Sequence, residues 1–600
     1  MRYTLKEKQN INETIRLKRS FKRLDQVEIM PSHDPDPEKN SVSSARADKG
    51  WNTDLVELIL NDIGGTFKKY QIINYILFCL PFALSGSFGL NYVFTALNVE
   101  SRCFISECET LDTNTFEPKW LQNAIPYSNK KPSKCSRYER HIEPTLYSLY
   151  DICPESEFNR SHVIGCNQFI YKTDEISIMN DFHFTCDDDA TWKLAMVGTA
   201  NNLGRFIFMP IMSLFSDRFG RRTILITGVF CSSVFAYIRS FAPNYVTFVL
   251  FEFLDAGIGS VTYSASFILA LEWIGTKDRV LLGSLVVATY PLGQIFLGFT
   301  ARAVRNYRQL LQIIYAPGFL ILLYFWIAPE SIRWLIVNHK KKRVLSTLKR
   351  AEEMNGLKLS QNTVDRIDIE MNENFKTKKP DDVGHHSDES KLQQICAIFK
   401  KGNLLMRFLI CAFAWLTTAF VSYGISLTSV SLAGDKYINF VVIAVAGIPA
   451  MLFVYFLMES CGRRWTISMS LLIGGASILA SKTLPSNFSI LSITLFFIGK
   501  CFITVAFTAL YVYTSELWPT NIRHSMMGLC STIGRIGAAL APMAPLLSQY
   551  MEVLPYLTFG LMSLFASILI LRLPETLKRK LPDTLSEAEQ IGRESDDETS

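Results

Sequence analysis

Long apolar runs, separated by shorter polar segments, recur along most of the 600-residue chain. One run covers about residues 71–93 and is followed by a polar stretch that extends to about 190. Five runs then fall between about 191 and 328, and six more fall between about 404 and 572. A helix of about 20 apolar residues crosses a bilayer core of roughly 30 Å. The pattern therefore predicts an all-α membrane protein with twelve transmembrane helices.

The polar segments predict how the chain is divided. Residues 1–70 form a charged tail that ends in an amphipathic segment, and residues 71–336 hold the first six spans. A charged linker, 337–403, leads to six further spans in 404–576, and a polar tail, 577–600, follows them. We expect the amphipathic segment to lie on the membrane surface as a short helix. The polar, charged composition of residues 1–50 predicts a disordered tail.

Positive charge in the short loops predicts the orientation of the spans. The net charge of +6 is modest and is spread over tails and loops, which argues against a nucleic-acid partner. Since cytosolic loops carry an excess of lysine and arginine, we expect both termini in the cytosol of a multi-pass plasma-membrane protein. The residues that support this orientation include Arg218, Arg221, Arg222, Lys277, Arg279, Arg463, Arg464 and Arg523, and those that oppose it are Arg302, Arg305 and Arg308.

The long polar stretch at 94–190 becomes extracellular in this orientation. Its six cysteines predict three disulfides, for which fifteen connectivities are open, and their irregular spacing argues against a zinc site. The sequon at Asn159 predicts glycosylation, whereas a second sequon at Asn487 lies close to a span, which disfavours its use. The cysteines are Cys103, Cys108, Cys135, Cys153, Cys166 and Cys186.

Three short motifs recur in the second half of the chain at almost one offset. Each places an acid and arginines at the cytosolic end of an even-numbered span. Because arginine grips a carboxylate with two parallel hydrogen bonds, we expect these groups to link helices across the cytosolic face and to gate it. Two repeated halves that rock about a midplane site are the design of alternating-access transporters. The acids recur as Asp217 and Glu459 (242 residues apart), Glu272 and Glu516 (244), and Glu330 and Glu575 (245), and the arginines are Arg218, Arg221, Arg222, Arg279, Arg333, Arg463, Arg464 and Arg523.

At these motifs the chain resembles the major facilitator superfamily. Residues 217–222 resemble the loop motif between spans two and three of that superfamily, with Ser213 in place of a glycine. Within it, the chain is similar to the organic cation/anion/carnitine transporter branch, solute carrier family 22. That similarity rests on the cysteine-rich outer loop, on residues 329–335 (PESIRWL) and on residues 516–523 (ELWPTNIR). The resemblance implies the major facilitator fold with a large extracellular loop after helix 1.

Ionisable residues inside spans are costly in a membrane, so each is a functional candidate. Arg535 lies twelve residues past Arg523, which is about 18 Å along a helix. The resemblance implies that cation-selective relatives carry Asp at this position, whereas anion and carnitine carriers carry Arg. A buried guanidinium would attract a carboxylate and repel a simple cation. For Lys500 in span ten, substrate contact and a structural or coupling role both remain open.

Spans two and four hold a second group of charges. Arg205 lies about as deep as Arg535, and the nearest acids are Glu252 and Asp255. We expect Arg205 to pair with one of these two acids. The resemblance implies an organic-ion site that is also lined by Trp415, Tyr423, Tyr290 and Gln294.

We therefore predict a secondary transporter or facilitator that moves small organic anions or carnitine-like zwitterions by alternating access. The sequence has no Walker loop and no Rossmann turn, so we expect no enzymatic activity, no cofactor and a gradient of sodium or protons as the energy source. Two alternatives stay open. One is an organic-cation transporter that uses Glu252 or Asp255, and the other is a non-transporting membrane receptor that uses the outer loop. The expected partners are the substrate ion and membrane lipid.

Overall fold

Helices dominate the structure, a computed structural model in which residues Thr53–Ser600 form one unit. Long helices, labelled α1 to α12, follow the predicted spans. The amphipathic segment precedes α1, and the linker separates α6 from α7. The structure describes residues 51–591 apart from 107, 110–114, 129–130, 141–152, 276–277, 378–396, 486–487, 520–521, 578, 580–581 and 583. The predicted charged tail before residue 51 lies outside the described residues, and so does Lys277.

The twelve long helices of the described residues fall into two groups of six. The first group is α1 (Lys69–Thr95), α2 (Ala190–Phe219), α3 (Arg221–Arg239), α4 (Tyr245–Glu272), α5 (Arg279–Ala288 continued by Tyr290–Val304) and α6 (Tyr307–Ile327). The second group is α7 (Gly402–Ser431), α8 (Lys436–Cys461), α9 (Arg463–Thr483), α10 (Ser489–Leu517), α11 (Arg523–Leu540 continued to Leu547) and α12 (Leu554–Ile570).

Length and hydropathy qualify most of these helices as membrane spans. In the described chain, nine of the twelve are long and apolar enough to cross a bilayer. The other three are α2, α9 and α12, for which the predicted span stays a prediction. Their positions match the predicted runs, so the helical order agrees with the sequence even where apolarity alone does not decide.

Local chemistry fixes several helix ends. Gly220 separates α2 from α3 with φ of +101°, and Gly462 separates α8 from α9 with φ of +87°. Both angles lie in the region that favours glycine. The Asn244 side chain accepts a hydrogen bond from the backbone of Thr247 at the start of α4, and Asp435 caps α8 in the same way.

The apolar side chains form two large cores, one for each group of helices. One core joins α1 to α6 with the N-terminal helix and the linker, and it also takes in Tyr437 and Phe440 from α8. The other core is formed by α7 to α12. This division supports the predicted two halves. The first core extends into the second half at these two α8 aromatics, and Tyr423, Leu427 and Val430 of α7 also pack against it.

The cysteine-rich segment between α1 and α2 has its own small core. Six short strands pair there as three antiparallel two-stranded sheets. The disulfides are Cys103–Cys166, Cys108–Cys153 and Cys135–Cys186, one of the fifteen connectivities that the sequence left open. The pairs are β1 (Ser101–Cys103) with β6 (Phe169–Tyr171), β2 (Tyr127–Ser128) with β3 (Lys131–Pro132), and β4 (Ser136–Arg140) with β5 (Phe158–Gly165). Short helices at Leu121–Ala124, Glu155–Glu157 and Ile178–Asp181 complete the segment.

The amphipathic segment before α1 forms the predicted helix, Trp51–Asp62, but its apolar side is covered by protein. The linker supplies part of that cover, because Asn355 donates a hydrogen bond to the backbone of Ile63 at 2.8 Å. Asp62 accepts hydrogen bonds from Ser360 and Thr363. Burial raises the pKa of the Asp62 carboxyl, but these hydrogen bonds outweigh it and hold the pKa below its usual range. The apolar face of this helix is therefore buried by protein, and its predicted location on the membrane surface stays a prediction.

The remaining helices lie on the same side of the helical bundle as the linker. They are Ile332–Val337, Lys341–Asn355, Gln361–Thr377 and Leu585–Gln590.

Candidate functional site

We define the outer end of the bundle as the end that carries the disulfide-bonded segment. There Glu175, which precedes α2, forms an ion pair with Lys436 and accepts a hydrogen bond from the Tyr437 hydroxyl at 2.7 Å. Glu175 is only 6% exposed. Its own segment is hydrogen-bonded to the α5–α6 connection, since Ile176 N donates to Arg305 O at 2.9 Å. The first half therefore holds Glu175 in place against the first turn of α8 in the second half.

Further contacts between the halves lie near the same end. Arg302 of α5 pairs with Asp435 before α8 at 3.2 Å. Between α2 and α11, Thr199 donates a hydrogen bond to Ala539 O at 3.0 Å. Phe94 of α1 stacks on Tyr437. These contacts join the two halves near the outer end in this structure.

The opposite end, predicted to be cytosolic, is built around the repeated motifs. In the first half, Glu330 accepts a hydrogen bond from the backbone N–H of Arg222 at 2.9 Å. Arg222 in turn donates to Ala328 O, and Asp217 pairs with Arg221 at 3.0 Å. The Glu272 carboxylate lies near Arg221. These contacts join α2, α3, α4 and the end of α6.

The second half repeats this arrangement. Glu575 accepts hydrogen bonds from the backbone N–H groups of Arg463 and Arg464 at 2.8 and 3.0 Å. Arg463 also faces Glu459 at 3.6 Å and Glu516 at 3.3 Å. The internal repeat in the sequence is thus a repeat of contacts as well. The sequence predicted links across the cytosolic face, but each of these contacts runs within one half, so the pairs hold the helices of each half together.

The other arginines predicted to gate this end lie close by. Arg218 lies over the Phe219 ring at 5.7 Å, and Arg523 begins α11. Arg279 begins α5 and donates a hydrogen bond to Ile274 O at 3.5 Å. Arg333 lies close enough to Arg279 for the two guanidinium groups to repel each other. Because arginine stays charged in proteins, both groups are cationic.

A buried charge cluster lies inside the first half. Glu252 and Asp255 of α4 both form ion pairs with Arg239, which ends α3. None of the three side chains is more than 1% exposed. The expected pairing of Arg205 with one of these acids is therefore wrong. Arg239 was missed because it falls at a helix end, where arginine is ordinarily an interfacial residue.

Arg205 instead faces the interior between the two halves. Its Nε donates to Asn201 at 3.0 Å, and its electrostatic neighbours include Tyr290 of α5 and Tyr423 of α7. A Cβ on Gly89 of α1 would lie 2.8 Å from the Tyr290 hydroxyl and 3.7 Å from Arg205 Nη2. Arg205, Tyr290 and Tyr423, which the sequence named separately, thus come together. Gln294 also contacts Tyr290.

Arg535 lies on the other side of the same interior. Its guanidinium is an electrostatic neighbour of Tyr263 on α4 and Tyr511 on α10. Each of the two tyrosines is 36% exposed, although each lies on a helix of the bundle. The sequence did not single out either residue. In the part of the chain that the structure describes, neither Arg535 nor Arg205 has a carboxylate within salt-bridge distance.

Two further predicted residues take supporting positions. Trp415 is 1% exposed, and its indole N–H donates to Thr514 at 2.9 Å while its ring packs edge-on against Tyr511. Lys500 is buried and donates to Ser422 and Ser426 of α7. Neither contact involves a carboxylate. The geometry therefore gives both residues a role in joining α7 to α10.

Comparisons with known proteins identify the family of this chain. A family model described as "Sugar (and other) transporter" matches residues 154–585. The chain is 28% identical to solute carrier family 22 member 6-A of Xenopus laevis over 536 residues, which are 88% of this chain and 92% of that protein. It is 28% identical to organic cation/carnitine transporter 2 of Rattus norvegicus over 534 residues, 87% of this chain and 92% of that protein.

Solved structures show the same fold. A partially occluded inward open conformation of the xylose transporter XylE from E. coli matches with a TM-score of 0.51 at 14% identity, covering 85% of this chain and all of that one. The family match spans more than half of the chain, and the helical order is that of the major facilitator fold. The chain belongs to the sugar (and other) transporter family of the major facilitator superfamily, and its curated relatives are transporters of solute carrier family 22.

Proposed function

We propose that this transporter moves small organic anions, or zwitterions that carry a carboxylate, across the plasma membrane by alternating access. The observation that carries the proposal is the pair of guanidinium groups, Arg205 and Arg535, that face the tyrosine-rich interior with no carboxylate partner among the described residues. A partly buried cation without a carboxylate partner is costly, and a substrate carboxylate would offset that cost with charge-assisted hydrogen bonds.

The tyrosines fit a substrate that also has an apolar or cationic part. Tyr263, Tyr290, Tyr423 and Tyr511 come from four different helices and both halves. Aromatic rings bind flat organic groups and quaternary ammonium groups by stacking and cation–π contact. A substrate that touches residues of both halves can couple its binding to the rocking of one half against the other.

The organic-cation alternative receives less support. It requires Glu252 or Asp255 as the counter-charge, but both carboxylates accept hydrogen bonds from several protein donors and share Arg239. Asn201 stands between Glu252 and Arg205, since its side chain is hydrogen-bonded to both. A cationic substrate would have to displace Arg239 from them, which makes these acids poor substrate ligands.

Uptake by cells that express the protein tests the proposal. The panel is labelled carnitine, an aromatic carboxylate and a quaternary ammonium without a carboxylate, each measured with and without sodium and at two pH values. We expect uptake of at least one of the two carboxylates. Uptake of the quaternary ammonium alone would favour the cation alternative, and no uptake under any condition would favour the receptor. The sodium and pH arms identify the coupling ion.

Variants connect the panel to the site. We expect Arg535→Gln and Arg205→Gln each to raise the KM for the carboxylate at least about tenfold, since each removes a charge-assisted contact. Arg572→Gln, which changes an exposed arginine after α12, is the matched control and should leave uptake unchanged. An unchanged KM in both site variants would contradict the proposed carboxylate site.

A further inference from the structure

The buried charge cluster of the first half draws on five of its six helices. Glu252 accepts a hydrogen bond from Asn201 of α2 at 2.6 Å, in addition to its ion pair with Arg239. Asp255 accepts from Ser232 of α3 and, at 2.6 Å, from the hydroxyl of Tyr315 on α6. The Arg239 guanidinium also donates to Asn91 of α1 at 3.3 Å. A site that is joined to so many helices cannot be a solvated surface pair.

One amide connects this cluster to the transport site. The Asn201 side chain donates to Glu252 through Nδ2 and accepts from Arg205 Nε through Oδ1, at 2.6 and 3.0 Å. Arg205 is also an electrostatic neighbour of both acids. The charge of the cluster therefore acts electrostatically on the Arg205 guanidinium, which faces the interior, although no carboxylate of the cluster lies within salt-bridge distance of it.

The formal charges of the cluster do not cancel. With every group counted in its ionised form, the two carboxylates (−2) and Arg239 (+1) leave −1, and the two interior arginines contribute +2, so the five groups sum to +1. Without Arg239 the same sum would be zero. In addition, Glu252 would lose its ion-pair partner and would become free to pair with Arg205. Inside a membrane protein such a change is screened only weakly.

We propose that Arg239 sets the charge preference of transport from outside the substrate site, by offsetting one of the two buried carboxylates so that the interior keeps a net positive charge. Arg239 is a specificity-determining residue that acts through Asn201 and Arg205, not one that contacts substrate. The proposal rests on the proposed function, because it explains why the interior next to two buried acids accepts an anion.

The experiment compares four forms of the full-length protein by the ratio of carboxylate uptake to quaternary-ammonium uptake, each normalised to the amount of protein at the cell surface. The forms are the wild type, Arg239→Gln, Asp255→Asn and the charge-balanced double variant Arg239→Gln/Asp255→Asn. In that order, the summed formal charge of Glu252, Asp255, Arg239, Arg205 and Arg535 is +1, 0, +2 and +1. At an effective dielectric of about 20 and a separation of about 10 Å, one unit of charge changes affinity about tenfold.

We expect the ratio to fall about a hundredfold in Arg239→Gln, because affinity for the carboxylate falls about tenfold while affinity for the quaternary ammonium rises about tenfold. The ratio should rise in Asp255→Asn and return toward the wild-type value in the double variant. A double variant that stays as low as Arg239→Gln would overturn the proposal, because a purely structural role of Arg239 is not repaired by removing an acid. If Arg239→Gln does not reach the surface, Asp255→Asn decides: a higher ratio supports the proposal, and an unchanged or lower ratio overturns it.

The wild-type arm tests the proposed function separately. A wild type that takes up only the quaternary ammonium contradicts that function, whatever the variants do. If the wild type takes up carboxylates but the uptake ratios of the variants do not follow the charge sum, the proposed role of Arg239 is contradicted and the proposed function is not.

Discussion

Glu330 and Glu575 hold the same position in the two halves, and each carboxylate accepts backbone hydrogen bonds from the first residues of a helix that follows a glycine. Glu330 binds the N–H of Arg222, and Glu575 binds the N–H groups of Arg463 and Arg464. The first turn of a helix has free N–H groups and partial positive charge, so a carboxylate is stabilised there. The repeated Pro-Glu motif is thus a helix cap supplied from the far end of the same half.

We expect Glu575→Gln to lower the thermal unfolding midpoint of the purified protein in detergent by a few degrees. The amide keeps the shape of the side chain but loses charge-assisted bonds to the α9 N-terminus, which is worth about 1–2 kcal/mol. The matched control is Glu459→Gln, because Glu459 is 61% exposed and its pair spans 3.6 Å. Equal midpoints in the two variants would show that the cap contributes nothing.

The glycines at these turns are predicted to resist substitution. A Cβ on Gly462 would lie 2.6 Å from Glu575 Oε2, and the backbone there has φ of +87°. We expect Gly462→Ala to reduce the yield of folded protein in fluorescence-detected size-exclusion chromatography, because both the strain and the contact oppose it. Gly402→Ala, where no neighbouring atom lies within 4 Å, should behave as the wild type. A normal yield from Gly462→Ala would contradict this cap geometry.

Breaking the Glu175 contact is expected to favour opening of the outer end. Glu175→Gln removes the ion pair with Lys436 and weakens the bond to Tyr437. Val246 and Ile490 are exposed positions at the outer starts of α4 and α10. Pulsed electron paramagnetic resonance between spin labels at these two positions measures the distance between the halves. We predict a larger population at long distance in the variant.

The control for that measurement is Glu100→Gln, since Glu100 pairs with Lys172 at 2.7 Å in the same outer segment but both side chains are about half exposed. A distance distribution for Glu175→Gln that matches the control would mean that the ion pair does not contribute to closing the outer end.

The disulfide connectivity can be checked by mass spectrometry of unreduced peptides. We predict cross-linked peptides that contain Cys103 with Cys166, Cys108 with Cys153 and Cys135 with Cys186. Any other pairing in the protein isolated from membranes would contradict the structure of this segment. Enzymatic removal of glycan in the same sample tests modification of Asn159, which lies on β5, whereas Asn487 lies outside the described residues.

The sequence predicted the helical order and the repeat because both rest on local signals, apolar length and short motifs. It did not predict the partner of Glu252 and Asp255, because Arg239 falls at a helix end, where arginine is ordinarily an interfacial residue. The rotation of α2 and α3, which decides which arginine faces α4, leaves no local signal in the sequence. Gly534 and Gly537 of α11 allow the backbone of Trp415 and Leu416 on α7 to approach closely. Tyr263 and Tyr511 were missed because tyrosine on an apolar helix carries no signal of the face it occupies.

Counterflow in proteoliposomes tests the central claim most directly, since only the purified protein and lipid are present. Vesicles are loaded with unlabelled carboxylate substrate, and the entry of labelled carboxylate is followed in wild type and in Arg535→Gln. We predict a transient accumulation of label with the wild type that is lost or strongly reduced in the variant. Accumulation of a quaternary ammonium but not of any carboxylate, or equal carboxylate accumulation in both proteins, would contradict the proposed transport of carboxylates through Arg535.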